Sequence, residues 1–244
     1  VADQAQLVAE PQVQRRAAFV SAVTHELRTP LTTFRMYTEM LSDGMVEEGK
    51  RAGYLSTLRR EAERLGQLVE NVLSYARIEA DGGQAPGRVV EVLEVDALVE
   101  RSADRLAERA RAAGLELQLE IDASARALLV RVDVVAVEQI LFNLVDNAAK
   151  YGATEAHPVI DVHVAAMGGT IEIGVRDFGP GVPEGERARV FEPFAKGVAH
   201  AAGTKPGVGL GLALSRRLAQ QMGGRLELRA ADRGAVFVLS LPVA

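Results

Sequence analysis

Between Tyr54 and Arg77, apolar residues fall at Leu55, Leu58, Ala62, Leu65, Val69, Val72 and Ala76, alternately three and four positions apart. That spacing predicts a helix carrying the seam of a coiled coil or four-helix bundle. An earlier helix is expected from about Val13 to Leu41. Its Val20, Leu27, Phe34 and Leu41 lie seven apart, with Val23, Leu31 and Tyr37 or Thr38 between them. The segment Ser42–Lys50 holds two glycines and reads as the connection of an antiparallel hairpin. Two amphipathic helices of this length cannot bury a two-sided core alone, so a dimeric four-helix bundle is expected.

The pattern changes near residue 80. Ala80–Gly87 is a linker by composition, and beyond it periods of two and 3.6 alternate. Strands are predicted near Val89–Val95, Leu115–Ile121, Ala127–Val132, Val159–Ala165, Thr170–Arg176, Arg225–Ala230 and Ala235–Leu241. Helices fit Asp96–Ala113, Asp133–Tyr151 and Leu210–Met222, and Ala195–Pro206, rich in Gly and Ala, reads as a mobile loop. The fold class is therefore α+β and multidomain: an antiparallel helical hairpin, then an α/β sandwich whose mixed sheet is covered by about three helices. The expected division is 1–12 as an N-terminal helix or linker from an upstream segment, 13–79 as the hairpin domain, 80–88 as linker and 89–244 as the α/β domain.

Composition narrows the function classes. The 244 residues are 48% hydrophobic and 25% charged, an ordinary globular balance. The formal net charge is −5, and neither domain is basic, so nucleic acid is not an expected partner. The absence of cysteine excludes disulfides, thiolate metal sites and a cysteine nucleophile, and it fits a reducing compartment. No apolar run reaches the ~18–20 residues that span a membrane, so no membrane contact by this segment is expected. The chain opens on Val1 rather than methionine and is expected to be cut from something longer.

Four motifs carry candidate chemistry. His25 falls at the outermost heptad position when Val20 and Leu27 occupy the seam, which leaves its imidazole solvated and reactive near neutral pH. Glu26 follows it, and Pro30 sits inside an otherwise continuous helix, where it costs about 3 kcal/mol and kinks the axis. In the helix Asp133–Tyr151, Val137, Ile140, Leu141, Leu144 and Ala148 form the core stripe. Asn143, Asn147, Lys150 and Tyr151 cluster on an adjoining face about 100° wide. Amide oxygens beside a lysine suit a phosphate–Mg²⁺ site, because Mg²⁺ prefers oxygen ligands and keeps several waters.

Asp177-Phe178-Gly179-Pro180-Gly181 demands a tight turn directly after a strand, and its Asp can accept a hydrogen bond from a ligand amine. Gly207-Val-Gly-Leu-Gly-Leu212 opens a helix, and alternate glycines there let backbone N–H groups approach phosphate. It is neither a Walker loop nor a dinucleotide fingerprint. Phe191-Glu-Pro-Phe194 would anchor the base of the 195–206 loop that follows it, whose Lys196 and Lys205 can reach anionic oxygens. Taken singly, each motif also fits a plain structural role: a surface histidine, a polar helix face, a turn, a flexible helix start.

Taken together, from about Gln14 to Leu241, they resemble the catalytic core of the two-component sensor histidine kinases. His25-Glu-Leu-Arg-Thr-Pro-Leu-Thr32 resembles the family's H-box and Asn143–Tyr151 its N-box. Asp177–Gly181 and Gly207–Leu212 resemble its two glycine boxes, and Phe191–Phe194 its F-box. The resemblance implies a dimerisation and phosphotransfer hairpin followed by a GHKL-type ATP-binding domain. His25 would accept phosphate from ATP and pass it to an aspartate on a response regulator receiver domain. Glu26 would orient the imidazole or act as its base, and Glu26 with Thr29 would support dephosphorylation of the regulator. Asn147 would hold Mg²⁺, Asn143 and Lys150 would lie at the phosphates, Tyr151 near the nucleoside, and Asp177 at the adenine amine.

Gly179, Gly181, Gly207, Gly209 and Gly211, with Leu212, would shape the pocket, while Phe191, Phe194 and Lys196 would serve the lid. Many relatives carry Arg where this chain has Lys196, a point charge without a bidentate fork. The expected partners are a second copy of the chain, a response regulator and an upstream sensor segment. The expected location is cytoplasmic, either free or as the inner part of a membrane-anchored sensor. Two other readings fit the same boxes: a nucleotide-binding dimeric scaffold without catalysis, and a related ATPase that uses water.

Overall fold

The computed structural model describes residues 2–80, 89–152, 157–195 and 209–244, with side chains from Val20 onward except those of Ala22, Glu79 and Ala80. The expected linker beyond Ala80 and the 195–206 loop beyond Ala195 lie outside the described residues, as do Lys196, Lys205 and Gly207. The chain forms two compact units, the first built on residues 1–76 and the second on 77–205 and 211–244.

The first unit is a hairpin of α1 (Ala2–Ser42) and α2 (Glu48–Ala80). Helix α1 starts upstream of the expected Val13, because Ala, Gln, Leu and Glu before it are good helix formers. It ends in a Schellman cap. Gly44 takes φ 69°, and the N–H groups of Gly44 and Met45 reach the carbonyls of Leu41 and Met40. Pro30 is buried within α1 and withholds the N–H that would bond to the carbonyl of Glu26. Around it Thr24, Thr32, Thr33 and Thr38 donate back to carbonyls four residues earlier, at 2.6–3.2 Å.

The seam predicted along α2 resolves into two lines in the single hairpin. Leu58 is buried and Leu65 and Val72 are half-buried, whereas Leu55 and Val69 remain 58% and 44% exposed. A three–four spacing marks two adjacent heptad rows, and a lone hairpin has a partner helix for only one of them. Leu55, Ala62, Val69 and Ala76 form the outward row. Tyr37 and Tyr54 meet edge to face at 4.6 Å near the turn, where Val46 is also buried.

The second unit is a two-layer α/β sandwich. Its elements are β1 (Val90–Glu94), α3 (Val95–Ala112), β2 (Glu116–Ile121), α4 (Ala123–Arg126), β3 (Leu129–Asp133) and α5 (Val134–Tyr151). They continue as β4 (Val159–Met167), β5 (Thr170–Arg176), α6 (Gly211–Gln221), β6 (Arg225–Arg229) and β7 (Val236–Pro242). The five-stranded sheet runs β2-β4-β5-β7-β6, with β2 parallel to β4 and the other neighbours antiparallel. Strands β1 and β3 form a separate antiparallel ribbon, and the short α4 is an element the sequence reading lacks.

Alternation decides which face is covered. Ile160, Val162 and Val164 of β4, Ile171, Ile173 and Val175 of β5, and Phe237, Leu239 and Leu241 of β7 point into one core. The stripes of α3, α5 and α6 close it, through Leu98, Leu106, Ile140, Leu144, Leu214 and Leu218 among others. The opposite face is charged. There Arg229 grips Glu172 with both guanidinium arms, and this holds the Glu172 carboxyl below the usual carboxylate range.

Helices α3 and α5 meet in a repeating register. Arg101 reaches Glu138 at 3.5 Å, Arg105 lies 4.3 Å over the Phe142 ring, and Arg109 bonds Asp146 at 2.7 Å. The steps are four residues on both helices, so the two run parallel along this seam.

Candidate nucleotide site and phosphoacceptor

The nucleotide-site residues gather at the C-terminal half of α5 and the turn after β5. Helix α5 starts on Asp133, whose side chain accepts from the N–H of Ala136 at 3.1 Å. Its buried stripe fixes the rotation of the helix and thus the direction of its polar face. Asn143 is only 5% exposed, and its Nδ2 donates to Ser215 Oγ at 3.2 Å and to the carbonyl of Gly211 at 3.4 Å. It therefore ties α5 to the first turn of α6. Asn147 is half-buried, and its carboxamide has no partner among the described residues. Lys150 is held by Asp146 at 2.6 Å, and Tyr151 ends the helix half-buried.

Asp177 is 8% exposed. Its Oδ1 accepts from the N–H groups of Gly179 at 2.9 Å and Ala235 at 3.3 Å, while Oδ2 has no partner among the described residues. Burial holds this carboxyl above the usual carboxylate range, against the pull of those two N–H groups and of Arg176. One oxygen is thus committed to the backbone and the other is left to accept from a ligand donor.

Glycines make that placement possible. A Cβ at Gly179 would lie 2.6 Å from the carbonyl of Tyr151, and one at Gly181 (φ 72°) 2.6 Å from that of Gly234. The same holds at two positions the sequence reading missed. A Cβ at Gly152 would collide with Cβ of Asp177, and one at Gly234 (φ 77°) with the carbonyl oxygen of Asp177. The end of α5, the Asp177 turn and the turn before β7 are therefore in backbone contact.

Phe191 packs edge to face on Phe237 at 6.0 Å and lies under the Arg216 guanidinium at 5.1 Å, so its ring is anchored by these two contacts. Phe194 takes φ 66°, the described non-glycine residue with a left-handed backbone. Gly209 has φ 72°, Gly211 begins α6, and Leu212 packs against the core. A Cβ at Gly211 would meet Asn143 at ordinary contact distance, so its neighbours do not demand glycine there.

On the hairpin, His25 is exposed and makes no hydrogen bond among the described residues. Thr29 is exposed as well, one turn further on. Glu26, expected to orient the imidazole, turns inward instead: it is 9% exposed, with Oε2 3.5 Å from Arg64 of α2. Successive helical residues point about 100° apart, so an exposed His25 and an inward Glu26 follow from one geometry. Arg64 also reaches Glu61 at 3.3 Å. No periodic signal singles out Arg64, because a charge near a seam looks like any flanking residue.

No group of three or more His, Asp or Glu side chains among the described residues is arranged to hold a metal. A carboxamide at Asn147 without a partner among the described residues, beside a lysine, is the donor set expected of an ion bound chiefly through phosphates and water. The described site fits ATP with Mg²⁺ on that ground.

Comparison with known proteins places these two units. Residues 15–81 match the family described as the His Kinase A (phospho-acceptor) domain. Residues 132–244 match the histidine kinase-, DNA gyrase B- and HSP90-like ATPase family. Sensor protein KdpD of Escherichia coli K12 is 34% identical over 242 residues, covering 98% of this chain and 26% of KdpD. Full-length ShkA, solved in complex with AMPPNP, is 26% identical with a TM-score of 0.63, over 94% of this chain and 46% of that one. Histidine kinase ThkA, solved in complex with response regulator protein TrrA, shares the fold. It has a TM-score of 0.68 and 21% identity, over 96% of this chain and 64% of that one. The chain spans 26–41% of the length of the curated relatives it matches. Among the described residues no helix is long and apolar enough to cross a membrane. With a phosphoacceptor hairpin followed by the ATPase sandwich, the chain belongs to the sensor histidine kinases, an enzyme family of ATP-dependent protein-histidine kinases.

Proposed function

We propose that the chain autophosphorylates on His25 at the expense of ATP and passes the phosphoryl group to an aspartate of a response regulator. The observation that carries this reading is the presence in one chain of an exposed imidazole, unpartnered among the described residues, and a carboxylate with one oxygen left to accept a donor. In the proposed reaction the Asp177 Oδ2 accepts from the adenine amine. A neutral ring nitrogen of His25 attacks the γ-phosphorus, the bond to the β,γ-bridging oxygen breaks, and ADP leaves. The proton on the other ring nitrogen passes to Glu26 or water, which requires Glu26 to rotate away from Arg64. Asn147 would hold Mg²⁺ together with the phosphates, and the ion would supply charge neutralisation. Lys150 and Asn143 complete the phosphate end, Tyr151 lies against the nucleoside, and the glycines at 207, 209 and 211 admit the triphosphate. Positioning and neutralisation are the main requirements of phosphoryl transfer.

The AMPPNP bound by ShkA supports the ATP reading, and the ThkA–TrrA complex gives a precedent for a regulator on this fold. The proposed domains are 13–79 for dimerisation and phosphotransfer, 80–88 for the linker and 89–244 for ATP binding. The outward row of α2 is the proposed surface for a second copy. Glu26 and Thr29 are further proposed to orient the water that dephosphorylates the regulator. A cytoplasmic location completes the reading.

Incubation with γ-labelled ATP and Mg²⁺ tests it. Acid-labile label is expected on the protein and none on His25→Gln; equal label on both would overturn it. Nucleotide binding without any label would favour a scaffold, and phosphate release undiminished in His25→Gln would favour a water-using ATPase.

A further inference from the structure

Asp146 lies on α5 between Asn143 and Asn147 but points toward α3. It has two partners among the described residues, one on each oxygen: Arg109 Nε on Oδ1 at 2.7 Å and Lys150 Nζ on Oδ2 at 2.6 Å. The three side chains are 20–29% exposed, so water screens them only partly. The two cations differ in how firmly they are held. Arg109 is the last rung of the arginine ladder of α3, whose first two rungs, on Glu138 and Phe142, fix its register against α5. Lys150 belongs to the last turn of α5, one turn beyond Asp146, on a flexible four-carbon stem.

We propose that Asp146 is a counter-ion switch for Lys150, holding its ammonium until phosphate arrives, and that Arg109 is the positioning residue that lets it let go. The inference rests on the reading of Lys150 as a phosphate contact. With nucleotide absent, Asp146 balances Lys150. When phosphate oxygens approach, Lys150 turns to them, and the carboxylate it leaves is still paired with Arg109 rather than exposed as an uncompensated charge facing an anion. The three formal charges sum to +1, so the cluster offers the phosphates a net cation only because Arg109 offsets Asp146. Without Arg109 the carboxylate competes with the nucleotide for Lys150 at full strength.

This requires opposite signs from the two halves of one ion pair, which a merely structural pair would not give. The test is calorimetric binding of a non-hydrolysable ATP analogue with Mg²⁺, and of adenosine, to the whole chain and its variants. Arg109→Gln is expected to weaken the analogue about threefold to tenfold, the scale of a partly buried ion pair. Asp146→Asn is expected to strengthen it by a similar factor. The double variant should behave as Asp146→Asn, because without the carboxylate Arg109 has nothing to offset. Adenosine affinity should stay constant throughout, and Arg109→Lys, which keeps the charge, should restore most of the loss.

Weakening of the analogue by both Arg109→Gln and Asp146→Asn would overturn the switch, as would a parallel loss of adenosine binding. Lys150→Ala separates this failure from failure of the underlying reading. If Lys150→Ala leaves analogue affinity unchanged, Lys150 does not meet phosphate, and the switch falls with its premise. If Lys150→Ala weakens the analogue while the other two variants share a sign, the phosphate contact stands and the switch alone is refuted.

Discussion

Asp177→Asn separates two roles of one carboxylate. Its Oδ1 holds the turn through the N–H groups of Gly179 and Ala235, and Oδ2 faces the proposed adenine amine. Asparagine keeps an oxygen for the two backbone donors but presents NH₂ where an amine must be accepted. A hydrogen bond to a charged group contributes about 1.5–3 kcal/mol, so affinity for an ATP analogue should fall about 10- to 150-fold. Isothermal titration with that analogue, and with its counterpart lacking the 6-amino group, reads the effect. The wild-type protein should prefer the amine by this factor, and the variant should not.

Proton binding gives a second readout with two signs. Because burial raises the Asp177 pKa above its ordinary 3.8, the folded protein holds this proton more tightly than the unfolded chain. Stability therefore falls as pH rises from that ordinary value through the raised one. Nucleotide needs the ionised form, so affinity falls as pH drops through the raised value. Both dependences should vanish in Asp177→Asn. A folded variant that binds the analogue within twofold of wild type, or still discriminates by the amine, would refute the reasoning.

Gly234→Ala should destabilise the second unit by about 3 kcal/mol or more, since it adds left-handed strain to a backbone collision. Gly53→Ala, in an open stretch of α2, should stabilise slightly, and thermal denaturation followed by circular dichroism compares the two. Arg64→Met deprives Glu26 and Glu61 of a shared cation and should cost the hairpin about 1–3 kcal/mol, read by urea unfolding. Leu55→Ser combined with Val69→Ser should weaken self-association more than tenfold by sedimentation equilibrium, because both positions face outward. Leu58→Ala, on the inward row, should instead cost the hairpin itself about 2–3 kcal/mol.

Periodic elements were legible because burial writes its period into the chain. Strand β5 runs over Thr170–Arg176 as its strict alternation predicts, and α5 starts within a residue of expectation because its stripe and N-cap agree. The row structure of α2 was not legible, since the same spacing serves a hairpin partner and a second chain. The Asp177 turn could be suspected from its glycines, but not the embrace around it. Ala235 lies 58 residues from Asp177, and glycine carries no periodicity that would link Gly152 and Gly234 to the turn. The inward turn of Glu26 was not legible for a related reason: proximity in sequence to His25 says less than the helical rotation that sends it toward Arg64.

The backbone contacts around Asp177 bear on where this pocket is vulnerable. A variant of this chain can keep every contiguous box and still carry a side chain at Gly152 or Gly234. By motif it would pass as intact; by space it would have no room for the Asp177 turn to seat as it does here. Loss of the pocket in such a variant would begin at two glycines outside the motifs.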